Sequence, residues 1–333
     1  MAGIKALRII QLGKEATPGL AVAATTKWRG MGTIEDQRQT VFPQENIGYL
    51  SGVDRSYVPS LGGAIAFDPI EATFEQIVHV LEAGVKLVQT GADDGAGSGK
   101  IYNYILPVTG ANTTRTYTIE GGDNEAVEEM EYCYVTEFSL SGEAGAAMMM
   151  SSTWEGRQVV PTTVTAAVPL PPVEEIFFSK AILTADLVDG TLGATPQSNT
   201  VLAAELKVVT GIQKVPTASG ALYFSFTKNI GPEVTLSVTY DHDTTSVAEK
   251  VLWRAQTPRQ IRLKILGKAL TEAGTTHTYK TLQIDLAGKW ESFGKVDEKD
   301  GNDILQGVFR AKYNETAALF AEILVVNELA SVP

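Results

Sequence analysis

Two periodicities run along the chain. Ile70, Phe74, Ile77, Val78 and Leu81 recur at helical spacing and form one apolar stripe. Before them, Asp68-Pro69-Ile70-Glu71 offers a capping carboxylate, a proline suited to a first helical turn and an acidic partner. Gly84 offers the stop. The spacing predicts a helix between Asp68 and Gly84, with His79 on its polar, solvent-facing side. A shorter counterpart follows Asp243-Thr244-Thr245-Ser246, where Val247, Val251, Leu252 and Ala255 keep the spacing and Pro258 limits extension.

Period two governs much of the rest. Met130, Tyr132, Tyr134, Phe138 and Leu140 alternate with Glu129, Glu131, Cys133, Val135, Glu137 and Ser139. In the second half, Leu282, Ile284 and Leu286 alternate with Thr281, Gln283 and Asp285. Such runs predict strands with one buried face and one wet face, and the wet face here is acidic or neutral. Further strands are expected at 147–159 and 305–313, with Asp300-Gly301 as a tight turn. The order of strand, long loop, strand, helix and paired strands occurs twice. Between the two copies, Val159–Glu175 carries Pro161, Pro169, Pro171 and Pro172 and reads as an extended connector. These patterns predict a mainly β protein with one helix per domain, built by tandem duplication. Residues 1–160 form the first domain, 161–175 the proline-rich linker and 176–333 the second domain.

Two stretches break the periodicity. Arg29–Pro59 holds Gly30, Gly32, Pro43, Gly48 and Gly52 and few periodic apolar residues, and a loop that long in a compact domain usually has a function. Gly91–Gly99 reads as a flexible tip.

Charge narrows the function. The 333 residues carry a net charge of −12. Residues 1–160 hold 11 basic and 20 acidic residues, and residues 161–333 hold 16 and 19. A surface that grips phosphates through Lys and Arg does not fit that balance. One cysteine, Cys133, excludes an internal disulfide and a multi-cysteine zinc module. Met1–Lys5 lacks an apolar run typical of a secretion signal, and the stretch around Ile323–Val326 is far shorter than the ~20 residues of a spanning helix. Synthesis as a soluble chain in the cytoplasm, with no membrane contact, is the expectation.

Candidate chemical motifs fail on spacing. The segment ending Gly99-Lys100 has Asp94 where a phosphate loop needs glycine, and Ile101 where it needs Ser or Thr. Placing Gly301 at the sixth position of a calcium loop puts Val296 first and Gly307 twelfth, and neither can ligate through its side chain. Asp241-His242-Asp243 suits turn and cap roles. Cys133 sits in an alternating strand, and no nucleophile elbow occurs. No catalytic residue, cofactor or metal site is expected.

The order of several short segments carries a family resemblance. These are Leu7-Arg8-Ile9-Ile10-Gln11-Leu12-Gly13-Lys14-Glu15, Thr17-Pro18-Gly19, Ala21–Thr26, Glu35-Asp36-Gln37-Arg38, Ile47-Gly48, Leu50-Ser51-Gly52, Asp54-Arg55-Ser56-Tyr57, Glu71-Ala72-Thr73-Phe74-Glu75-Gln76 and Leu81-Glu82-Ala83-Gly84. Near the end, an alternating strand, an Asp-Gly turn and Phe309-Arg310-Ala311-Lys312-Tyr313 complete the pattern. In these segments the chain resembles the tail tube proteins of long-tailed bacteriophages. The resemblance implies a structural virion protein of two tandem β-barrel or β-sandwich tube domains, each with a helix packed outside an inner sheet. It implies rings stacked into a tube that delivers the genome, with inner sheets of neighbouring subunits joined around the lumen. A duplicated chain would form a trimeric, pseudo-hexameric ring. The implied partners are further copies of the chain, a tape-measure protein, tail-tip and terminator proteins, and phage DNA that passes without specific binding. The implied location is the virion tail, after synthesis in the host bacterial cytoplasm. Other tail assembly proteins, such as a terminator or baseplate hub, and a two-domain β-sandwich binding module are the alternatives.

Carboxylates around such a channel would repel DNA phosphates, so alternation makes Glu129, Glu131 and Glu137 the expected lumen residues, with Gln283 and Asp285 as their second-half equivalents. The long loop is expected to contact the next ring through Gln44, Glu45, Asn46, Ile47, Gly48, Tyr49, Leu50 and Asp54.

Overall fold

A computed structural model describes residues 3–333. The first half contains β1 (Ile9–Lys14), β2 (Thr26–Lys27), β3 (Gly32–Asp36), β4 (Gln39–Val41), β5 (Tyr57–Ser60), β6 (Gly63–Glu71), helix α1 (Ile77–Gly84), β7 (Ala92–Asp93), β8 (Lys100–Ile105), β9 (Tyr117–Gly122), β10 (Val127–Glu143), β11 (Met149–Gly156) and β12 (Val159–Pro161). The second contains β13 (Ala181–Leu187), β14 (Val201–Val209), β15 (Ile212–Val215), β16 (Phe226–Asn229), β17 (Glu233–Asp241), helix α2 (Thr244–Arg254), β18 (Arg259–Ala269), β19 (Tyr279–Phe293), β20 (Asp297–Lys299), β21 (Asn302–Ala311) and β22 (Ala321–Asn327).

One antiparallel sheet runs through both halves in the order β3–β6–β11–β10–β14–β17–β21–β19. The two longest strands each serve two layers. The first part of β10 leaves the long sheet to pair with β9 and β12, and β9 continues to β1 and β2. The first part of β19 pairs with β18 and β22, which continue to β13 and to β8. Apolar side chains from the layers meet in the core, where Trp154 and Trp290 are fully or almost fully buried. Each half is thus a β-sandwich, and the two share a sheet.

The pairings repeat. The connections β1–β9–β10–β11–β6–β3 reappear as β13–β18–β19–β21–β17–β14, and β12 and β22 take equivalent places. Even an irregularity repeats. Opposite Trp154, β10 bulges between Val135 and Glu137, and opposite Phe309, β19 bulges between Trp290 and Ser292. Arg157 N–H donates to the Glu131 carbonyl, just as Lys312 N–H donates to that of Ala287. These anchors make Glu137 equivalent to Ser292, Glu129 to Asp285, Arg157 to Lys312 and Tyr117 to Arg259.

Each helix buries a glutamate at an equivalent place. Glu82 of α1 accepts from Tyr117 Oη at 3.0 Å, and burial raises its carboxyl pKa. Glu249 of α2 accepts from Arg259 Nη2 at 2.5 Å and from Trp290 Nε1 at 2.8 Å.

Local signals were decisive where nothing distant competed. Helix α2 starts at its predicted cap, Asp243, whose carboxylate accepts from Thr245 and Ser246 N–H while the Ser246 hydroxyl closes the capping box. Asp300 and Gly301, with φ of 53° and 81°, form the two-residue turn between β20 and β21. Residues 162–174 form no strand or helix, turn once at Ala167 with φ of 59°, and are hydrogen-bonded to the first half. Thr165 N–H donates to Glu120, and Glu174 accepts the Phe74 N–H on its carbonyl.

Four expectations are corrected. Asp68-Pro69 ends strand β6 and does not start a helix. Pro69, which lacks an N–H, falls at a bulge between β6 and β11, and α1 begins at Ile77. His79 is buried, because packing covers every residue of α1. Its imidazole lies 3.3 Å from Tyr117 Oη, and burial lowers its pKa to about 3. Gly91–Gly99 is anchored to the second half, where Asp94 accepts from Thr276 and His277 N–H. Arg29–Pro59 is not a plain loop but includes β3 and the β4–β5 ribbon.

Candidate functional site

The long sheet has a packed face and a polar face. Ile65, Phe138, Leu206 and Leu236 point into the core. The alternate residues give the other face Ser139, Ser151, Thr235 and Ser237, with Glu35, Glu137, Glu143, Glu205 and Glu233 against Lys207, Lys289 and Arg310. Its cations are largely matched. Lys207 lies 3.0 Å from Glu137, and Arg310 lies 3.2 Å from Glu233 and 3.7 Å from Glu291. Lys299 pairs with Glu143. Among these charges, carboxylates remain in excess.

Both ends of this sheet are open. Among the described residues β3 pairs only with β6, and Lys289–Phe293 of β19 pair only with β21. Gln37 N–H donates to Gly62 O, so alternation turns the N–H groups of Ile34 and Asp36 outward from the sheet. Unpaired strand edges recruit other strands. The edges differ in composition: Glu35 and Asp36, the latter paired with Arg38, belong to one, and Lys289, Glu291 and Lys295 to the other.

Two ribbons project from equivalent points. Ribbon β4–β5 lies between β3 and β6, and ribbon β15–β16 between β14 and β17. Gln44, Glu45, Asn46, Ile47, Gly48, Tyr49, Leu50 and Asp54 occupy the distal loop of the first ribbon, where Tyr49 is 72% exposed and Leu50 fully so. There the Glu45 carboxylate is held below its usual pKa by the Arg55 guanidinium at 2.6 Å.

The second ribbon is seated on the first half. Ile212 and Phe224 pack with Tyr132 and Tyr134. Arg157 donates to the carbonyls of Phe224 and Ser225 at 3.1 and 2.5 Å, and its guanidinium lies 4.5 Å from the Tyr132 ring centre. Lys214 pairs with Glu155 at 3.2 Å. Sequence reasoning missed this ribbon, although Gly211, Pro216, Gly220, Gly231 and Pro232 punctuate it as glycines and prolines punctuate the first.

The five expected lumen residues do not share a face. Glu137 lies on the polar face of the long sheet. Glu129, Glu131, Gln283 and Asp285 lie on the parts of β10 and β19 that pair in the other layer. Burial raises the Glu129 and Glu131 carboxyl pKa values, and Gln158 donates to Glu131 at 3.0 Å. Asp285 accepts from Arg262 Nε at 2.7 Å and from Gln283 Nε2 at 2.9 Å. The parity also breaks within β10. Tyr132, with φ of 55°, falls in one bulge and Thr136 in a second, so Met130, Cys133, Val135, Phe138 and Leu140 enter the main core while Tyr132 and Tyr134 join the ribbon cluster.

An open-ended sheet with a polar, acid-rich face is suited to joining copies edge to edge around a space. No curated protein sequence matches the chain. The phage tail tube protein family matches residues 8–303, which is most of its length. The chain belongs to the phage tail tube protein family.

Proposed function

We propose that three copies of this structural tail protein close a pseudo-hexameric ring, with the long sheet of each as one third of the inner wall. The carrying observation is the pairing of Glu137–Glu143 in β10 with Ala203–Val209 in β14, which continues one half's sheet into the next. Repeating that junction between chains joins β19 of one copy to β3 of its neighbour. In the transferred register Phe293 lies opposite Asp36 and Gly294 opposite Glu35. Lys289 and Lys295 then approach the acidic edge, and no strand is left exposed. In this reading the tandem units are residues 1–160 and 176–333, connected by 161–175.

Size supports three copies. Twenty-four strands spaced about 4.8 Å and tilted about 40° form a barrel about 48 Å across, and inward side chains leave about 40 Å. On the same allowance sixteen strands, about 32 Å across, would leave about 24 Å, which gives duplex DNA almost no room for its hydration.

The polar face then lines the channel. Glu137, Glu143, Glu205 and Glu233 face the lumen, while Glu129, Glu131, Gln283 and Asp285 face outward. At physiological salt the charges act over about 8 Å, so wall carboxylates discourage sticking without stopping passage. A tape-measure protein fills the channel during assembly, DNA follows it, and tip and terminator proteins cap the ends. Tyr49 and Leu50, at the tip of the β4–β5 ribbon, reach the next ring.

Electron microscopy of the purified protein and of Asp36→Pro tests the edge junction. The substitution deletes an outward N–H and keeps the intrachain pairing. Wild-type chains are expected to form channelled rings or tubes, and the variant to remain monomeric. Tubes of unchanged abundance from the variant would refute the junction.

A further inference from the structure

We infer that the β4–β5 ribbon straps the neighbouring subunit within the same ring, with Asp54 of one chain seated on Lys312 of the next. This rests on the ring reading above and adds a contact separate from the sheet junction.

The second ribbon supplies the template. It leaves the second half and lies on the first, held by Arg157 against the Phe224 and Ser225 carbonyls. In a ring the halves alternate, so the first half's ribbon meets the second half of the adjacent chain. The inserts are similar in length, residues 37–62 and 210–232. Counting from β6 and β17, which follow them, matches Ser225 to Asp54. Counting from β3 and β14, which precede them, matches it to Val53. The seat transfers by the equivalences already drawn: Tyr134 becomes Lys289, Glu155 becomes Arg310 and Arg157 becomes Lys312.

The chemistry of the seat changes with its occupant. The intrachain seat is aromatic around Arg157 and receives an apolar ribbon. The transferred seat carries Lys289 and Lys312 beside Arg310, which is already paired with Glu233 and Glu291, and Tyr313 is half exposed next to it. The free ribbon brings Asp54, since Glu45 is already paired with Arg55, together with exposed Phe42 and Tyr57. Opposite charge and an unused aromatic side chain on each partner fit a second copy of this chain.

The test is a disulfide between Asp54→Cys and Lys312→Cys. Both sites are exposed, and the native Cys133 is buried. Assembled double variant is oxidised and run on a denaturing gel beside each single variant, with electron microscopy of the same samples. The expected result is a ladder that ends at three chains, because the strap links neighbours around one ring. A ladder extending well past the ring number would place the contact between rings and overturn the strap. So would an absence of cross-links in the double variant's well-formed tubes. Absence of rings from wild-type protein would instead remove the ring reading itself. A second variant pair guards against misplaced thiols: Lys312→Asp is expected to lower ring yield at least severalfold, and adding Asp54→Lys to restore it. Full yield from Lys312→Asp alone would also overturn the strap.

Discussion

The two halves of this chain share one plan and compensate its buried charges differently. Under α2, Glu249 faces Arg259 and the Trp290 indole, so carboxylate and guanidinium neutralise each other. Under α1, Tyr117 occupies the place of Arg259, and Glu82 receives a phenol hydroxyl where its counterpart receives a cation. Burial answers by raising the Glu82 pKa, while His79 beside Tyr117 stays neutral down to about pH 3. A duplicated fold thus keeps the position of a buried acid and changes how it is tolerated. The outward features differ in the same manner, since one ribbon is seated within the chain and the other is free.

The largest effects should fall on the ion-paired half. Arg259→Ala strands a buried carboxylate and is expected to cost about 3–5 kcal/mol in urea unfolding. Tyr117→Phe removes a neutral donor and should cost about 1–3 kcal/mol. Equal losses would erase the distinction between the two sites. The aromatic anchors test the opposite point, that packing is shared. Trp154→Ala and Phe309→Ala fill matched places and should each cost about 3–5 kcal/mol.

Proton linkage sharpens the contrast further. His79 has a folded pKa far below its unfolded value, so its contribution is complete above about pH 6.5 and is lost as pH falls toward 3. Over that window the slope due to His79 is about 1.4 kcal/mol per pH unit, and His79→Gln should remove it. Glu82 has the opposite sense. Its folded pKa is raised, so its contribution is complete below the unfolded value and declines as pH rises through the raised one. Glu82→Gln should therefore flatten the stability curve on that side, whereas Glu249→Gln leaves Arg259 without its counter-charge and lowers the curve throughout. Denaturation from pH 3 to 9 reads all three. The smallest effect belongs to the polar face, where Glu143→Ala breaks an exposed pair with Lys299 and should change stability by about 0–1 kcal/mol.

Legibility in the sequence followed the range of the interactions. Helix α2 and the Asp300-Gly301 turn are set by neighbouring residues and could be read directly. Asp68-Pro69-Ile70-Glu71 carries an equally good local signal, but pairing with β11, eighty residues away, overrides it. His79 was misplaced because its cover comes from distant strands, including Tyr117. The lumen candidates divide between two layers for a reason of the same kind. Glu137 lies in the part of β10 that joins the long sheet, whereas Glu129 and Glu131 precede two bulges and a change of layer that period-two counting cannot register. The β15–β16 ribbon could have been found by comparing the glycine and proline spacing of the halves, but its seat on Arg157 exists only in the folded chain.

The most direct test of the shared wall is the number of chains in one ring. Rotationally averaged end-on views of assembled tubes, combined with the mass of a detached ring, measure it. Six tube lobes built from three chains is the result expected if every chain contributes an eight-stranded sheet. A ring of six chains, or one in which the polar face of the long sheet points outward, would contradict it.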